Sequence, residues 1–213
     1  MAQAPPQIKQ ARDGQDLTAL NRLAADFANQ ATSKPTDAGT QYVAALANSA
    51  LAEVAMEVRD KNQARSAAET GMKAAARAIA IDSRRAEHHR IMGVLCGQAA
   101  AAIGGLTAFK HGKCALDEMN QALELDPKSS ANYLSRGVGN YYLPATLGGG
   151  TELAIADFRK AISLDSNNAD AYLWLGLALR KAGQEAEAHQ TLEKAVKLNP
   201  ARAWTKLQLA KTP

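Results

Sequence analysis

Residues 169–200, with the sequence ADAYLWLGLALRKAGQEAEAHQTLEKAVKLNP, decide the fold of this chain. The first half of this stretch has Tyr172, Leu175, Gly176 and Leu179 at intervals of three, one and three residues, which place them on one face of a helix. Gly183 follows, and glycine readily ends a helix because it adopts the left-handed conformation without a steric penalty. The stretch therefore begins with an amphipathic helix that ends near residue 183.

The second half of the stretch predicts another helix. Ala188, Leu192 and Ala195 are spaced by four and three residues, and Pro200 marks the helix end. Gly176 and Ala188 are small enough to let two helix backbones approach closely. Because neither helix can bury its apolar stripe alone, we expect the two to pack as an antiparallel pair.

The same pair recurs upstream at irregular intervals. Four segments share the order Ala, apolar, any residue, apolar, Asp or Asn, and Pro or Ser: AIAIDS at 78–83, ALELDP at 122–127, AISLDS at 161–166 and AVKLNP at 195–200. Their acidic or amide positions lie 44, 39 and 34 residues apart, and Gly93, Gly137 and Gly176 repeat the intervals of 44 and 39. Two independent markers with one irregular spacing predict a repeated helix pair with inserted residues in the earlier copies.

Residues 169–200 resemble a tetratricopeptide repeat (TPR), and the segments at 130–166 and 86–127 resemble it less completely. The matching positions are Tyr172, Leu175, Gly176, Leu179, Ala188, Leu192, Ala195 and Pro200; then Tyr133, Gly137, Ala154, Phe158 and Ala161; then His89, Met92, Gly93, Ala115, Met119, Ala122 and Pro127. Residues 38–83 resemble a degenerate unit. The resemblance implies an all-α fold, a right-handed α-solenoid of antiparallel helix pairs that serves to bind other proteins.

The repeat pattern divides the chain into four segments. In chain order these are a disordered tail at 1–14, N-terminal helices with a degenerate repeat at 15–83, three TPR-like units at 84–200 and a C-terminal capping helix at 201–213. Two of the TPR-like units carry insertions, at about 104–111 and 143–150. Such a capping helix covers the otherwise exposed end of a solenoid.

Composition narrows the class of protein. The 213 residues contain 25 Lys and Arg against 21 Asp and Glu, a net charge of +4 without a basic block, so nucleic acid is not an expected partner. The most apolar stretch, residues 91–106, is short and contains four glycines, so we expect a buried helix there and no membrane span.

The N-terminus and the cysteines bear on the location of the protein. Ala2-Gln3-Ala4 has the small-x-small form that signal peptidase recognises, which favours a periplasmic or secreted protein; a plain polar tail on a cytoplasmic protein is the alternative. Cys96 and Cys114 lack the spacing of metal ligands and could form at most one disulfide. The simpler interpretation is two buried small apolar side chains, and the sequence leaves their pairing open.

The TPR resemblance also implies a binding groove, lined by the first helix of each pair. The partner-binding candidates are Arg90, Val94, Leu134, Val138, Tyr141, Leu173, Leu177 and Arg180, to which the neighbouring loop adds Tyr142. Such a groove is apolar with charged edges and suits an extended or helical apolar peptide. It lacks the Lys and Asn set with which relatives clamp a peptide's C-terminal carboxylate. Alternatively, the protein's own helices fill the groove.

The second insertion places Tyr141-Tyr142-Leu143-Pro144 beside the glycines at 148–150. Loops on a rigid scaffold often carry function, so these residues are candidates for ligand contact; a hairpin that needs more reach is the alternative. The Pro-x-x-x-Gly-Gly element at 144–149 is similar to one in periplasmic TPR proteins associated with solute transporters. This similarity favours a location in the cell envelope. Separately, a small-ligand carrier with a pocket beneath the two insertion loops is the alternative function.

The sequence contains no recognisable catalytic or cofactor site. The glycines at 148–150 are not followed by the Gly-Lys-Ser/Thr of a phosphate-binding loop. His88 and His89 are adjacent on a helix and point about 100° apart, so they do not converge on one metal ion. The carboxylates of Asp117 and Glu118 belong to an ordinary amphipathic helix. We therefore expect a non-enzymatic interaction or assembly scaffold that needs no cofactor or metal and binds a protein or peptide.

Overall fold

The computed structural model describes residues 5–103 and 105–212 of the chain. Within these residues the protein is built from α-helices and a 3-10 turn at Ala145–Leu147, without a β-strand. The helices are α1 (Pro6–Asp13), α2 (Leu17–Ser33), α3 (Ala38–Glu57), α4 (Lys61–Ile81), α5 (Ala86–Ile103), α6 (Gly105–Leu125), α7 (Ser130–Tyr142), α8 (Thr151–Leu164), α9 (Ala169–Lys181), α10 (Glu185–Leu198) and α11 (Ala203–Leu209). The all-α fold predicted from the sequence is confirmed.

The acidic marker of the repeat shapes the turn between successive helix pairs. Side-chain oxygens of Asp82, Asp126 and Asp165 accept hydrogen bonds from the backbone N–H two residues later, at 3.1, 3.1 and 3.0 Å. This is the Asx turn, in which a short carboxylate satisfies a backbone donor that the ended helix leaves free. These aspartates therefore recur because the turn recurs.

The chain divides into two compact units, residues 1–125 and residues 126–213. In unit 1 the helices pack in sequence order from α2 to α6 around a core that is rich in alanine. Small side chains let these helices approach closely: a Cβ added at Gly71 of α4 would lie 2.6 Å from Cδ2 of Leu95 on α5. The abundance of alanine in the sequence therefore serves close helix packing.

The predicted disordered tail at residues 1–14 is wrong for residues 6–13, which form α1; residues 1–4 lie outside the described residues. Pro6 stands at the start of the helix, where proline is well tolerated. Ile8 and Ala11, three residues apart, join the core of unit 1 and are 4% and 7% exposed. The polar residues between them hid this short apolar stripe from the sequence analysis.

The first insertion is not a loop from residue 105 onward. Helix α6 begins at Gly105 instead of near residue 112, and Gly104 lies outside the described residues. Residues 107–111 contain no helix breaker, and Gly112 costs a helix only about 1 kcal/mol relative to alanine. The inserted residues therefore lengthen α6.

Cys96 of α5 and Cys114 of α6 form a disulfide, with an S–S distance of 2.01 Å. The interpretation of both cysteines as simple buried apolar side chains is therefore corrected. The bond joins two antiparallel neighbours in unit 1 and closes a chain segment with a sequence separation of 18 residues.

Unit 2 contains two helix pairs, α7 with α8 and α9 with α10, followed by α11 packed against α10. The predicted close approach at Gly176 is confirmed, because a Cβ added there would lie 2.6 Å from Cγ of Leu192 on α10. Gly137 of α7 has the same role, with Phe158 of α8 at 2.5 Å from the added atom. The glycine markers of the repeat are thus the points at which paired helices touch.

Candidate interaction surface

Two of the predicted groove residues are part of the core. Leu173 and Leu177 are 1% and 3% exposed, and they form a buried cluster with Leu192 against which Trp204 and Leu209 pack. The prediction that Leu173 and Leu177 line an open groove is therefore wrong. The physical reason is that side chains of α11 pack on the part of α9 that the repeat pattern would leave for a partner.

Arg180 is engaged by the C-terminal segment. Its guanidinium donates hydrogen bonds to Oε1 of Gln208 and Oγ1 of Thr212, both at 2.9 Å, and to the carbonyl of Gln208 at 3.3 Å. These bonds tie the last turn of α9 to the chain end, so Arg180 has a structural role in addition to its charge.

The remaining predicted residues are at least partly accessible. In unit 1, Arg90 and Val94 are half-buried, and Arg90 donates a hydrogen bond to the hydroxyl of Tyr42 at 3.0 Å. In unit 2, Leu134, Val138 and Tyr141 are half-buried and pack against a core cluster that includes Phe158 and Leu179. Tyr142 is 59% exposed.

Four aromatic side chains of unit 2 form a continuous cluster, which we call the aromatic surface: Tyr141, Tyr142, Trp174 and Trp204. The ring of Trp174 lies 5.6 Å from Tyr141, 5.9 Å from Tyr142 and 5.6 Å from Trp204, measured between centroids. Tyr141 and Tyr142 meet edge to face at 5.1 Å. These separations are typical of favourable aromatic pairs. The last turn of α7, the middle of α9 and the start of α11 together place the four rings.

Basic groups border the aromatic surface. Lys181 Nζ lies 4.4 Å from the centroid of Tyr141 and donates a hydrogen bond to the carbonyl of Tyr141 at 2.6 Å. The guanidinium of Arg202 lies 5.8 Å from the centroid of Trp204. Cations at these distances are attracted to the ring faces. Burial raises the pKa of the Tyr141 hydroxyl, and the charge of Arg180 opposes that shift.

The second insertion forms a tight turn beside this surface. Gly148 and Gly150 have φ angles of 84° and 123°, and the N–H of Gly150 donates to the carbonyl of Asn140 at 2.9 Å. A Cβ at Gly149 would lie 2.5 Å from the carbonyl oxygen of Leu143, so only glycine fits there. The turn leaves the side chain of Leu147 50% exposed.

A buried ion pair holds α7 to α8 beneath the turn. Arg136 donates to the two carboxylate oxygens of Asp157 at 2.9 and 2.7 Å, and Asn140 adds a third hydrogen bond at 3.0 Å. Asp157 is 5% exposed, and its hydrogen bonds raise the pKa of Arg136. A carboxylate with three donors in place serves to fix the hairpin that carries Tyr141 and Tyr142.

His88 and His89 make hydrogen bonds within the protein. His89 Nδ1 lies 2.7 Å from Oε2 of Glu118 and its Nε2 lies 2.8 Å from the carbonyl of Ser83, while His88 contacts the carbonyl of Asp82 at 2.9 Å. Among the described residues, no three His, Cys, Asp or Glu side chains are grouped so as to hold a metal ion. Nor does any helix in that part of the chain combine the length and apolarity of a membrane span.

The alternative function, a small-ligand carrier, predicts a pocket beneath the insertion loops. The structure has two surface depressions among its described residues, and both lie away from these loops. One, of about 330 Å³, lies in unit 1 between α2, α3 and α4, with Asn21, Asn48 and Gln63 in its wall. The other, of about 280 Å³, lies in unit 2 between α8 and Gln184. Neither is lined by residues of the two insertions.

Trp174 and Trp204 were not among the site residues predicted from the sequence. They are the two tryptophans of the chain; Trp174 lies on α9, a helix of the predicted groove, and Trp204 lies on α11. Tryptophan and tyrosine are the side chains most enriched at the energetic centres of protein interfaces. The signal that could have found them was the concentration of large aromatics at 141, 142, 174 and 204.

Several solved structures, one of them a TPR protein, share this fold. A thermophilic TPR protein of Thermus thermophilus superimposes with a TM-score of 0.67 at 18% identity, covering 95% of this chain and 96% of that one. The Cut9-Hcn1 hetero-tetramer of the APC/C gives 0.52 at 12% identity, over 96% of this chain and 48% of the other. Pseudomonas aeruginosa pilF gives 0.50 at 20% identity, over 78% and 65%. At these identities the likeness shows the fold, an α-solenoid of helix pairs.

Family models match the chain from near its start to near its end. No curated protein sequence gives a significant match. Two repeat models match the C-terminal part, described as TPR repeat for residues 147–183 and tetratricopeptide repeat for residues 169–202. The model described as regulator of microtubule dynamics protein 1-3 matches residues 7–145, which is more than half of the chain. The chain therefore belongs to the regulator of microtubule dynamics protein 1-3 family and carries tetratricopeptide repeats in its C-terminal part.

Proposed function

We propose that this protein is a non-enzymatic scaffold that binds a segment of a partner protein on the aromatic surface of unit 2. The TPR matches support an interaction scaffold, since helix-pair repeats present extended surfaces for other proteins. The observation that carries the proposal is the exposure of Tyr142, a residue that is 59% exposed while its ring packs against Trp174. A rigid aromatic side chain held in this way is typical of an interface anchor.

The proposed surface differs from the groove predicted from the sequence. It keeps Tyr141 and Tyr142, adds Trp174 and Trp204, and excludes the buried Leu173. An extended or helical apolar segment remains the kind of partner that suits it, because aromatic rings provide area for apolar side chains at little cost in conformational entropy.

A photo-crosslinking amino acid at position 142 tests the proposal in cells of the source organism. Position 153 is the matched control, because Leu153 is also exposed, at 49%, but lies on α8. We expect a discrete crosslinked partner from position 142 and not from position 153. Because the family description names microtubule dynamics, a parallel co-sedimentation with polymerised tubulin compares wild type with Tyr142→Ala. Equal crosslinking from both positions, or from neither, would refute the proposal.

We also propose a periplasmic or secreted location, with a cytoplasmic one as the alternative outcome. The Cys96–Cys114 disulfide supports it, because disulfides persist in oxidising compartments and are rare in reducing ones. Association with a solute transporter, suggested by the Pro144 to Gly149 element, belongs to the same proposal. Thiol alkylation in intact cells should leave both cysteines unmodified; modification of both without prior reduction would argue for the cytoplasm.

A further inference from the structure

We infer that the segment bound by the aromatic surface is acidic and carries an aromatic or aliphatic anchor; this inference rests on the proposed function. Its basis is the uneven distribution of charge over the helices of unit 2. Helices α7, α9 and α11, which carry the aromatic surface, contain four basic side chains and one acidic side chain, and three of the basic ones remain when Arg136, paired with Asp157 of α8, is left out. Helices α8 and α10 contain four basic and five acidic side chains.

The acidic side chains are nearly absent from the helices that carry the rings. Neither α7 nor α11 contains Asp or Glu, and the acidic residue of α9 is Asp170, in the first turn of that helix. Arg180 and Lys181 lie at its opposite end, beside Tyr141. A carboxylate that approaches the aromatic surface at the C-terminal end of α9 therefore meets Arg180 and Lys181, while Asp170, at the other end of the helix, is the one acidic side chain of these three helices.

The cations are placed to act together with the rings. Lys181 and Lys206 are exposed, and Lys181 lies over Tyr141; Arg202, beside Trp204, is only 1% exposed and contacts the ring from inside the fold. Rim charges of one sign steer an oppositely charged segment to the surface, while the rings supply the contact area.

A selection from a random library of 16-residue peptides displayed on phage tests this inference with the full chain. The charge variant is Lys181→Gln with Lys206→Gln, which removes two exposed cations from the ring-bearing helices. The matched control is Lys160→Gln with Lys194→Gln, which removes two exposed cations from α8 and α10. Tyr142→Ala tests the surface itself, and circular dichroism verifies that all variants fold.

We expect wild type to enrich peptides that are net negative and contain Phe, Tyr, Trp or Leu. Since the two tryptophans of the chain lie on this surface, intrinsic fluorescence reports binding directly. The charge variant should bind the enriched peptides about two- to fivefold more weakly for each lysine removed, and the control variant should bind them like wild type. Added salt should weaken binding to wild type.

The other outcomes separate this inference from the proposed function. If neutral or basic peptides are enriched and Tyr142→Ala abolishes their binding, the inference that the bound segment is acidic fails. The proposal that the aromatic surface is the binding site then still holds. Acidic peptides that lose affinity equally in both lysine variants would also overturn it, because total charge and not the rim would then explain binding. If no enriched peptide depends on Tyr142, both the inference and the proposed function fail.

Discussion

At the residue scale, the closest contacts between paired helices are made at glycines. Cβ atoms added at Gly93, Gly137 and Gly176 would lie 2.8, 2.5 and 2.6 Å from side-chain atoms of the paired helix. Each glycine therefore sets the distance between two helices, and a methyl group would have to push them apart. This is why the sequence intervals of 44 and 39 residues between these glycines indicate the repeat so clearly.

Gly176→Ala should lower the free energy of unfolding by about 1–3 kcal/mol, because the added Cβ overlaps Leu192. Gly112→Ala is the control: it is also a helical glycine, but its added Cβ has no neighbour within 4 Å. That change should raise stability by up to about 1 kcal/mol through helix propensity alone. Urea denaturation of both variants measures the difference, and an unchanged or raised midpoint for Gly176→Ala would contradict the tight contact.

At the scale of elements, α11 decides which part of α9 is accessible. The sequence predicts a capping helix at the C-terminus, but it treats the first helix of every pair alike. It therefore assigned Leu173 and Leu177 to an open groove, although the last pair is the one that lies next to the cap. Burial of Leu173 to 1% exposure follows from this position in the chain and not from any property of the repeat.

Leu173→Asp should therefore destabilise unit 2 instead of merely weakening partner binding. A carboxylate at this buried position would have no basic partner among the apolar residues of its cluster, and such a charge costs about 3–5 kcal/mol. Leu207→Asp is the matched control, because Leu207 of α11 is 45% exposed. Tryptophan fluorescence during urea denaturation should show a lower midpoint for Leu173→Asp alone. Wild-type stability of that variant would mean that the groove is open after all.

At the scale of the whole molecule, the repeat periodicity predicts the helix pairs. The pairing of the cysteines could not be predicted, because it depends on where α5 ends and α6 begins. Cys96 and Cys114 lie nine residues before and nine residues after Gly105. Residues at similar distances from the connection of an antiparallel hairpin face each other, so the end of α5 at Ile103 and the start of α6 at Gly105 bring the two cysteines together. With an insertion at about 104–111, the sequence did not set the register of α5 against α6, and the pairing of the cysteines stayed open. The aromatic surface was likewise only half visible, because its two tryptophans come from helices that the sequence does not show to be adjacent.

Removal of the disulfide should affect the two units differently, because the bond lies within unit 1 and both tryptophans lie in unit 2. Cys96→Ala with Cys114→Ala should lower the stability of unit 1 by about 3 kcal/mol, since an 18-residue separation is no longer closed in the unfolded chain. In urea, far-ultraviolet circular dichroism should then show an earlier helical transition, while the tryptophan transition keeps its wild-type midpoint. Wild type treated with dithiothreitol should behave like the double variant, which excludes an effect of the alanines themselves. If the tryptophan transition moves by the same amount, the two units unfold as one, and a partner bound to the aromatic surface would stabilise the whole chain instead of unit 2 alone.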